Sequence, residues 1–428
     1  MNRHMAVESE RFLPGVTRPS GNWLARGNSD QSRWQQIGFW LVWMLAFSIP
    51  WGDMVLLPLD IQASRVLSIA TFLTWSISLW QGKRMRSLAS AHWFMLLFVL
   101  WAAASAWWNA DSERSLRRTL SYCQLFLDAW LIYQCAGTAD RYRRLLQSYV
   151  LGCYVCFAGL MWNYLGGVSQ GDGRYTAPGF DPNDLSVTLV LGIPIAWHLA
   201  FSGRSWAWVN RLFIPCAIVA SLLTASRSGL VTLAVGMVFP LLAMPRISTK
   251  AVASLALLAS ASGAVVITFW SDISIRRLST IQEQLTARDL NGRVDIWSRG
   301  FEVFKEHPVA GVGAGGFGAA VGARRSRDLA AHNALLGVLV EHGLVGLGLF
   351  VAIVVALLFS GRKSNSLEAR LWVVQLAAWG VALMTLSWEN REVTWLLWGL
   401  CSALPAANRR RISWPVRQPA FPNQVRHA

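Results

Sequence analysis

The 428 residues of this chain are 54% hydrophobic and only 14% charged, with 24 Trp, whereas an ordinary soluble domain carries about 25% charged residues. Too little polar surface is available to cover a soluble globular domain of this size, and the same composition excludes collagen-like, coiled-coil and disordered chains. The net charge of +16 would point to nucleic acid in a soluble protein; in a multi-span membrane protein it points first to basic cytoplasmic loops, and no nucleic-acid partner is expected.

In chain order, residues 1–36 are polar and carry five Arg. They lack the apolar core and small-residue cleavage site of a removable signal peptide, so they read as a cytoplasmic tail before a retained first span. A membrane helix needs about 20 mostly apolar residues. Twelve stretches qualify: 37–58, 62–80, 88–108, 117–136, 145–167, 184–201, 207–224, 228–245, 249–271, 332–359, 369–388 and 392–406. The predicted organisation is therefore an all-α polytopic membrane protein, with spans 1–9 over 37–271, a long loop 272–331, spans 10–12 over 332–406, and a tail 407–428. With the N-terminus inside, the inside segments hold 23 Lys+Arg and the outside segments 16, nine of them in the long loop. That asymmetry places both termini in the cytoplasm and the long loop outside. Cys123, Cys135, Cys153, Cys156, Cys216 and Cys401 all fall in apolar spans, as small apolar fillers rather than a disulfide framework or a redox pair.

Two outside segments are too long and polar for plain turns, 168–183 and 272–331. Within the second, Val294, Trp297, Phe301 and Phe304 recur at helical spacing, the pattern of an amphipathic helix on the membrane surface or capping the spans. Gly311, Gly313 and Gly316 match a dinucleotide fingerprint in letters only, because no strand precedes them and no soluble βαβ unit surrounds them. They read instead as a tight loop that lets backbone come close to another segment or a ligand.

Between spans seven and eight, Ser226-Arg227-Ser228-Gly229 leaves almost no loop. Ser226 can cap the helix that follows, and Arg227 at its start makes an anion site. The plain alternative is a snorkelling interfacial Arg, but the outer side is where the charge bias disfavours one. Span ten opens with His332-Asn333 and continues to Glu341. His332 lies at the outer mouth with a pKa range suited to a general base. The plain alternative is a polar interfacial His. On a straight helix Glu341 lies on the opposite face and roughly 13 Å deeper, which disfavours a His332–Glu341 dyad and makes Glu341 a brace. Asp128, midway along span four, is an embedded acid without an assigned role. The outer arginines, among them Arg174, Arg227 and Arg293, suit a multiply charged phosphate held at membrane depth.

Read in order, Gly173-Arg174, Gly179-Phe180-Asp181-Pro182-Asn183, Ser226-Arg227-Ser228-Gly229, Asn291-Gly292-Arg293, His307-Pro308, Gly311, Gly313, His332-Asn333, Glu341 and Gly346-Leu347 resemble the bacterial O-antigen ligase/polymerase superfamily. The resemblance implies a C-type glycosyltransferase architecture in the bacterial inner membrane with a periplasmic active site. It also implies an inverting, metal-free and cofactor-free transfer of glycan from undecaprenyl diphosphate to lipid A-core. Within it, Arg227, Arg293 and Arg174 would hold the donor diphosphate, His332 would act on the acceptor hydroxyl, and Asn333, Asn183 and Glu341 would support them. A polymerase using the same donor is the alternative. A transporter is the rival from another class, disfavoured by the absence of repeated halves.

Overall fold

The structure is a computed structural model that describes residues 23–57, 61–82, 84–109, 111–170, 173–202, 206–243, 293–322, 329–362 and 367–409. The two tails, most of each, together with the expected ninth span 249–271 and loop residues 272–292 and 323–328, lie outside the described residues. Apolar stretches with no strand-like alternation become helices: α1 (Trp23–Ser48), α2 (Ala63–Trp80), α3 (Ser90–Ala104), α4 (Ser112–Cys135), α5 (Ala139–Leu165), α6 (Pro182–Ser202), α7 (Ala207–Leu223), α8 (Arg227–Gly236) and α9 (Val238–Ala243). After the undescribed stretch come α10 (Arg293–Glu306), the short α11 (Phe317–Val321), α12 (Ala334–Arg362), α13 (Leu367–Leu383) and α14 (Glu392–Arg409). Among the described residues the only strands are Leu56–Leu57 and Ile61–Gln62, a two-residue antiparallel pair.

Among the described residues, five segments are long and apolar enough to cross a membrane: Arg33–Met54, Ser90–Trp107, Ala139–Leu165, Pro182–Phe201 and Ala334–Ser360. Ala207–Leu223, Arg227–Ala243 and Glu392–Leu404 are shorter apolar helices. Neighbours pack as α1 on α2 and α5, α6 on α7 and α8, α3 on α12, and α4 on α14. The centre is aromatic. Trp395 and Trp398 pack at 5.0 Å between ring centroids, Trp379 meets Trp398 at 5.6 Å, and Phe350 meets Trp398 at 5.6 Å. In lipid such close ring packing, rather than escape from water, is what favours helix association.

The tenth expected span is not a straight helix. Gly343 interrupts α12 with φ 64° and ψ −164°, a backbone region open essentially to Gly alone. Backbone from the glycine loop fills the break. Leu344 and Val345 donate to the carbonyls of Pro308 (2.9 Å) and Val309 (3.3 Å), while Val312 and Gly313 donate to those of Val340 (3.0 Å) and Glu341 (2.8 Å). A helix interrupted at membrane depth has to recover its backbone partners from protein, and here a single loop supplies them. Gly311 has φ 68°, and a Cβ there would lie 2.5 Å from the Glu341 carbonyl. Close backbone approach therefore explains the glycines.

The α10 helix forms where its periodicity expects one, but its apolar residues divide between two faces. Trp297 and Phe304, with Ile296 and Val303, pack against Phe317, Leu336 and Val340. Val294 and Phe301 stay exposed. The helix is thus clamped to the start of α12 by one face and leaves a narrow apolar edge outside. Trp297 Nε1 adds a hydrogen bond to Ala331 O at 2.9 Å, one residue before His332.

Candidate functional site

Ser226 caps α8: its side chain accepts from Gly229 N at 3.0 Å. Gly229 has no room for a side chain, since a Cβ would fall 1.9 Å from Ser186 Oγ. The cap sets Arg227 as the first residue of α8, where the helix dipole favours an anion. Asn333 caps α12 in the same way, accepting from Leu336 N at 3.1 Å, and this fixes the exposed His332 immediately before the helix. Among the described residues, three non-glycine residues have positive φ; Ala225 and His332, both at φ 47°, are two of them and lie beside these caps. Such conformations cost about 1–3 kcal/mol and persist where the surroundings impose them.

Arg227, Arg293 and His332 come from three separate elements and share one electrostatic environment. Desolvation lowers the pKa of the Arg293 guanidinium, and Arg227 lowers it further against the pull of Asp181. Desolvation also lowers the pKa of His332, and Arg293 deepens the effect against Asp181 and Asp184. The imidazole therefore stays neutral at pH values where a free His begins to protonate, as a proton acceptor must. Arg293 is anchored by Nη1 to Thr385 O at 3.1 Å, which ties α10 to the end of α13.

Arg174 has a different position from the other two arginines. It is buried, with Nε on Thr224 O at 2.9 Å and Nη2 on Asn183 Oδ1 at 2.8 Å. Asn183 Oδ1 also accepts from Ser226 Oγ at 2.9 Å. The two residues lock the 173–183 loop to the cap of α8 and so help to position Arg227. Glu341 also turns inward: Oε2 accepts from Gly315 N at 2.9 Å and Oε1 from Phe317 N at 3.4 Å. It braces the glycine loop, and the break at Gly343 two residues on replaces the straight-helix geometry assumed from spacing. Arg299 and Lys305 are exposed, with Arg299 paired to Asp295 at 2.6 Å. Arg276, Arg277, Arg288, Arg324, Arg325 and Arg327 lie outside the described residues.

Sequence reasoning missed a second charged group at this mouth. Arg391 Nη1 reaches Asp53 at 2.7 Å and Nη2 pairs with Asp184, whose other oxygen accepts from Trp388 Nε1 at 2.8 Å. Desolvation opposes charge on Arg391, but Asp184 and Asp53 outweigh it and raise its pKa. These residues line a cavity of about 210 Å³ that also touches Arg65, Gln124 and Thr188. Asp53, Asp184 and Arg391 are more than 100 residues apart in sequence, and no local spelling marks them as neighbours. The lone outside Arg in the short segment 389–391 was the available signal.

Residues 212–351 match a family model described as O-antigen ligase. The matched stretch contains Ser226, Arg227, Arg293, His332, Asn333 and Glu341, and it is consistent with an O-antigen ligase-type protein. No curated protein matches the chain.

Proposed function

We propose that this chain is an O-antigen ligase: a metal-independent, inverting glycosyltransferase that moves glycan from undecaprenyl diphosphate to lipid A-core on the periplasmic face of the inner membrane. The observation that supports this reading is the electrostatic coupling of Arg293 to both Arg227 and His332, with all three residues inside the stretch that matches the O-antigen ligase model. Arg227 and Arg293 face the donor diphosphate, and Arg174 and Asn183 hold Arg227 in place. His332 accepts the proton of the acceptor hydroxyl as its oxygen attacks the anomeric carbon. The sugar–phosphate bond breaks on the opposite face, and its electron pair leaves with the diphosphate. Arg contacts that tighten as this charge grows contribute about 3 kcal/mol per well-placed donor, and a positioned base adds roughly 10²–10⁴-fold.

Twelve spans with both termini cytoplasmic, and a C-type glycosyltransferase arrangement with the 272–331 loop over the site, belong to the same proposal. A broken membrane helix is also a feature of transporters, but the break in α12 is filled by the backbone of 308–313. Purified protein in detergent, with no sealed membrane, is expected to transfer glycan; a transporter would give none. A gene deletion separates the two acceptors. Loss of a ligase accumulates polymer on the lipid carrier, and loss of a polymerase leaves single repeats on core.

A further inference from the structure

The α10 helix runs down alongside the opening of α12. Trp297 bonds to Ala331 O, Gly300 lies against Leu336, and beyond the helix the carbonyls of Pro308 and Val309 accept from Leu344 and Val345. The chain then climbs back: Ala314 N donates to Ser105 Oγ at 2.9 Å and Ala314 O accepts from Asn109 Nδ2 at 2.8 Å, at the mouth end of α3.

The same helix α3 gives a depth scale. Trp101 Nε1 donates to His342 O at 3.0 Å. Six residues nearer the mouth, Trp107 is 90% exposed, as an interfacial Trp is at the edge of the hydrocarbon. At 1.5 Å per residue that edge stands roughly 9 Å above His342, level with Leu336 and therefore with Gly300. Phe301 falls at the edge, Val294 and His332 beyond it among the headgroups. Val309, beside Val345, lies deeper than His342.

The backbone at that depth is fitted for a dry setting. Pro308 has no N–H, and its carbonyl and that of Val309 are taken by α12. Gly311 N donates to His307 O at 3.1 Å, and Val312 and Gly313 donate to Val340 and Glu341. Non-helical backbone is tolerated in a membrane only where protein satisfies it. What the loop leaves uncovered is apolar. Val309 is 61% exposed and sits beside Leu344, 55% exposed, on a helix apolar enough to cross a membrane. Higher up, Val294 and Phe301 share one edge of α10, two turns apart. Asp295, Arg299, Glu302 and Glu306 form an exposed stripe about 100° further round. The exposed surface thus divides into an apolar edge and a charged face, the pattern of a helix at a bilayer boundary.

We infer that α10 and the 307–313 loop form a re-entrant element seated in the outer leaflet: acyl chains of the surrounding bilayer cover Val309, the headgroup boundary falls at Phe301, and the charged stripe of α10 faces water. The inference stands apart from the transferase reading. It moves part of the 272–331 loop, expected wholly outside, into the membrane.

The test is nitroxide labelling of the full chain in phosphatidylcholine vesicles. Cys123→Ser and Cys216→Ser clear the background, and the four buried cysteines stay. Val309→Cys, Phe301→Cys, Val294→Cys and Arg299→Cys then carry the label one at a time. Leu344→Cys is the lipid-facing reference, and thermal melts check folding. The readout is collision with oxygen, which concentrates among acyl chains, against collision with a neutral water-soluble nickel chelate. The oxygen-to-nickel ratio at 309 should match that at 344 and exceed that at 299 several-fold, with 301 intermediate and 294 close to 299. A label at 309 that meets nickel as freely as one at 299 puts the loop in water and overturns the inference. A label at 309 closed to both reagents means that protein covers this face, a second copy or another segment, and overturns it too. So does any order other than 309, 301, 294 from lipid to water. Should Val309→Cys melt early, Phe301→Cys still decides, because its side chain is on an exposed edge: a ratio equal to that at 299 overturns the inference.

Discussion

Gly343→Ala tests the join between the broken helix and the glycine loop, which Glu341 braces two residues before the break. At φ 64° and ψ −164° an alanine pays about 1–3 kcal/mol of backbone strain. Its Cβ would also lie 2.2 Å from Val309 O and 2.7 Å from Ala310 N, and these are backbone atoms that cannot swing aside. Relief requires residues 308–313 to lift off α12, breaking some of the four cross-hydrogen bonds at Leu344, Val345, Val312 and Gly313. Two lost at about 1 kcal/mol net each bring the total to about 3–5 kcal/mol. For a chain of this size that is a fall in Tm on the order of 5 °C, read by thermal melt in detergent. Transfer should fall as well, because Glu341 loses the loop amides it braces. Gly348→Ala is the control: it lies on the same helix with nothing within 4 Å of the added Cβ, and it should change neither quantity. A Gly343→Ala protein that melts with wild type and transfers at full rate would refute the reasoning.

Arg391→Met should destabilise by about 2–3 kcal/mol, because Asp53 and Asp184 lose their shared partner at a partly buried site; a double-mutant cycle with Asp53→Asn should recover part of this, and simple additivity would contradict the pairing. In the pH profile of kcat/KM, the acid limb should fall below the ordinary His range, since activity is lost as pH drops through the lowered pKa of His332. Arg293→Gln, which removes one positive neighbour of His332, should move that limb upward, and a limb that stays in place or moves down would contradict the coupling. Transfer should survive EDTA, because guanidinium groups supply the countercharge and Arg391 already occupies Asp53 and Asp184; loss restored by Mg²⁺ or Mn²⁺ would direct attention to Asp172, Asp181 and Asp184.

Spans were legible because a helix in lipid announces itself as a run of apolar residues, and the Ser226 cap because N-caps are spelled within four residues. Arg227 stood out against the local charge bias for the same reason, being an anomaly within a short window. Arg174 shows the limit of that logic. Its type and side of the membrane fitted a ligand, but only the fold reveals that Thr224 and Asn183 already use its guanidinium. The break at Gly343 was hidden by hydrophobicity that continues unbroken through α12, although the glycine loop that fills it was recognisable as a close-approach loop. Arg391 offered only the signal of a lone basic residue in a short segment, and its pairing with Asp53 and Asp184 was out of reach, since packing alone brings together segments so far apart in sequence.

The central claim divides labour between Arg227 and His332, and one experiment separates them: donor binding and single-turnover transfer for purified Arg227→Ala, Arg227→Lys and His332→Ala, with folding checked by thermal melt. Arg227→Ala should weaken binding of undecaprenyl diphosphate and also slow transfer, because the leaving group loses a positive partner. Arg227→Lys should recover only part, since a point charge cannot reproduce the bidentate contact. His332→Ala should bind donor as wild type does and transfer almost nothing. If His332→Ala loses donor binding as severely as Arg227→Ala, His332 is a phosphate ligand and the account of the base is wrong.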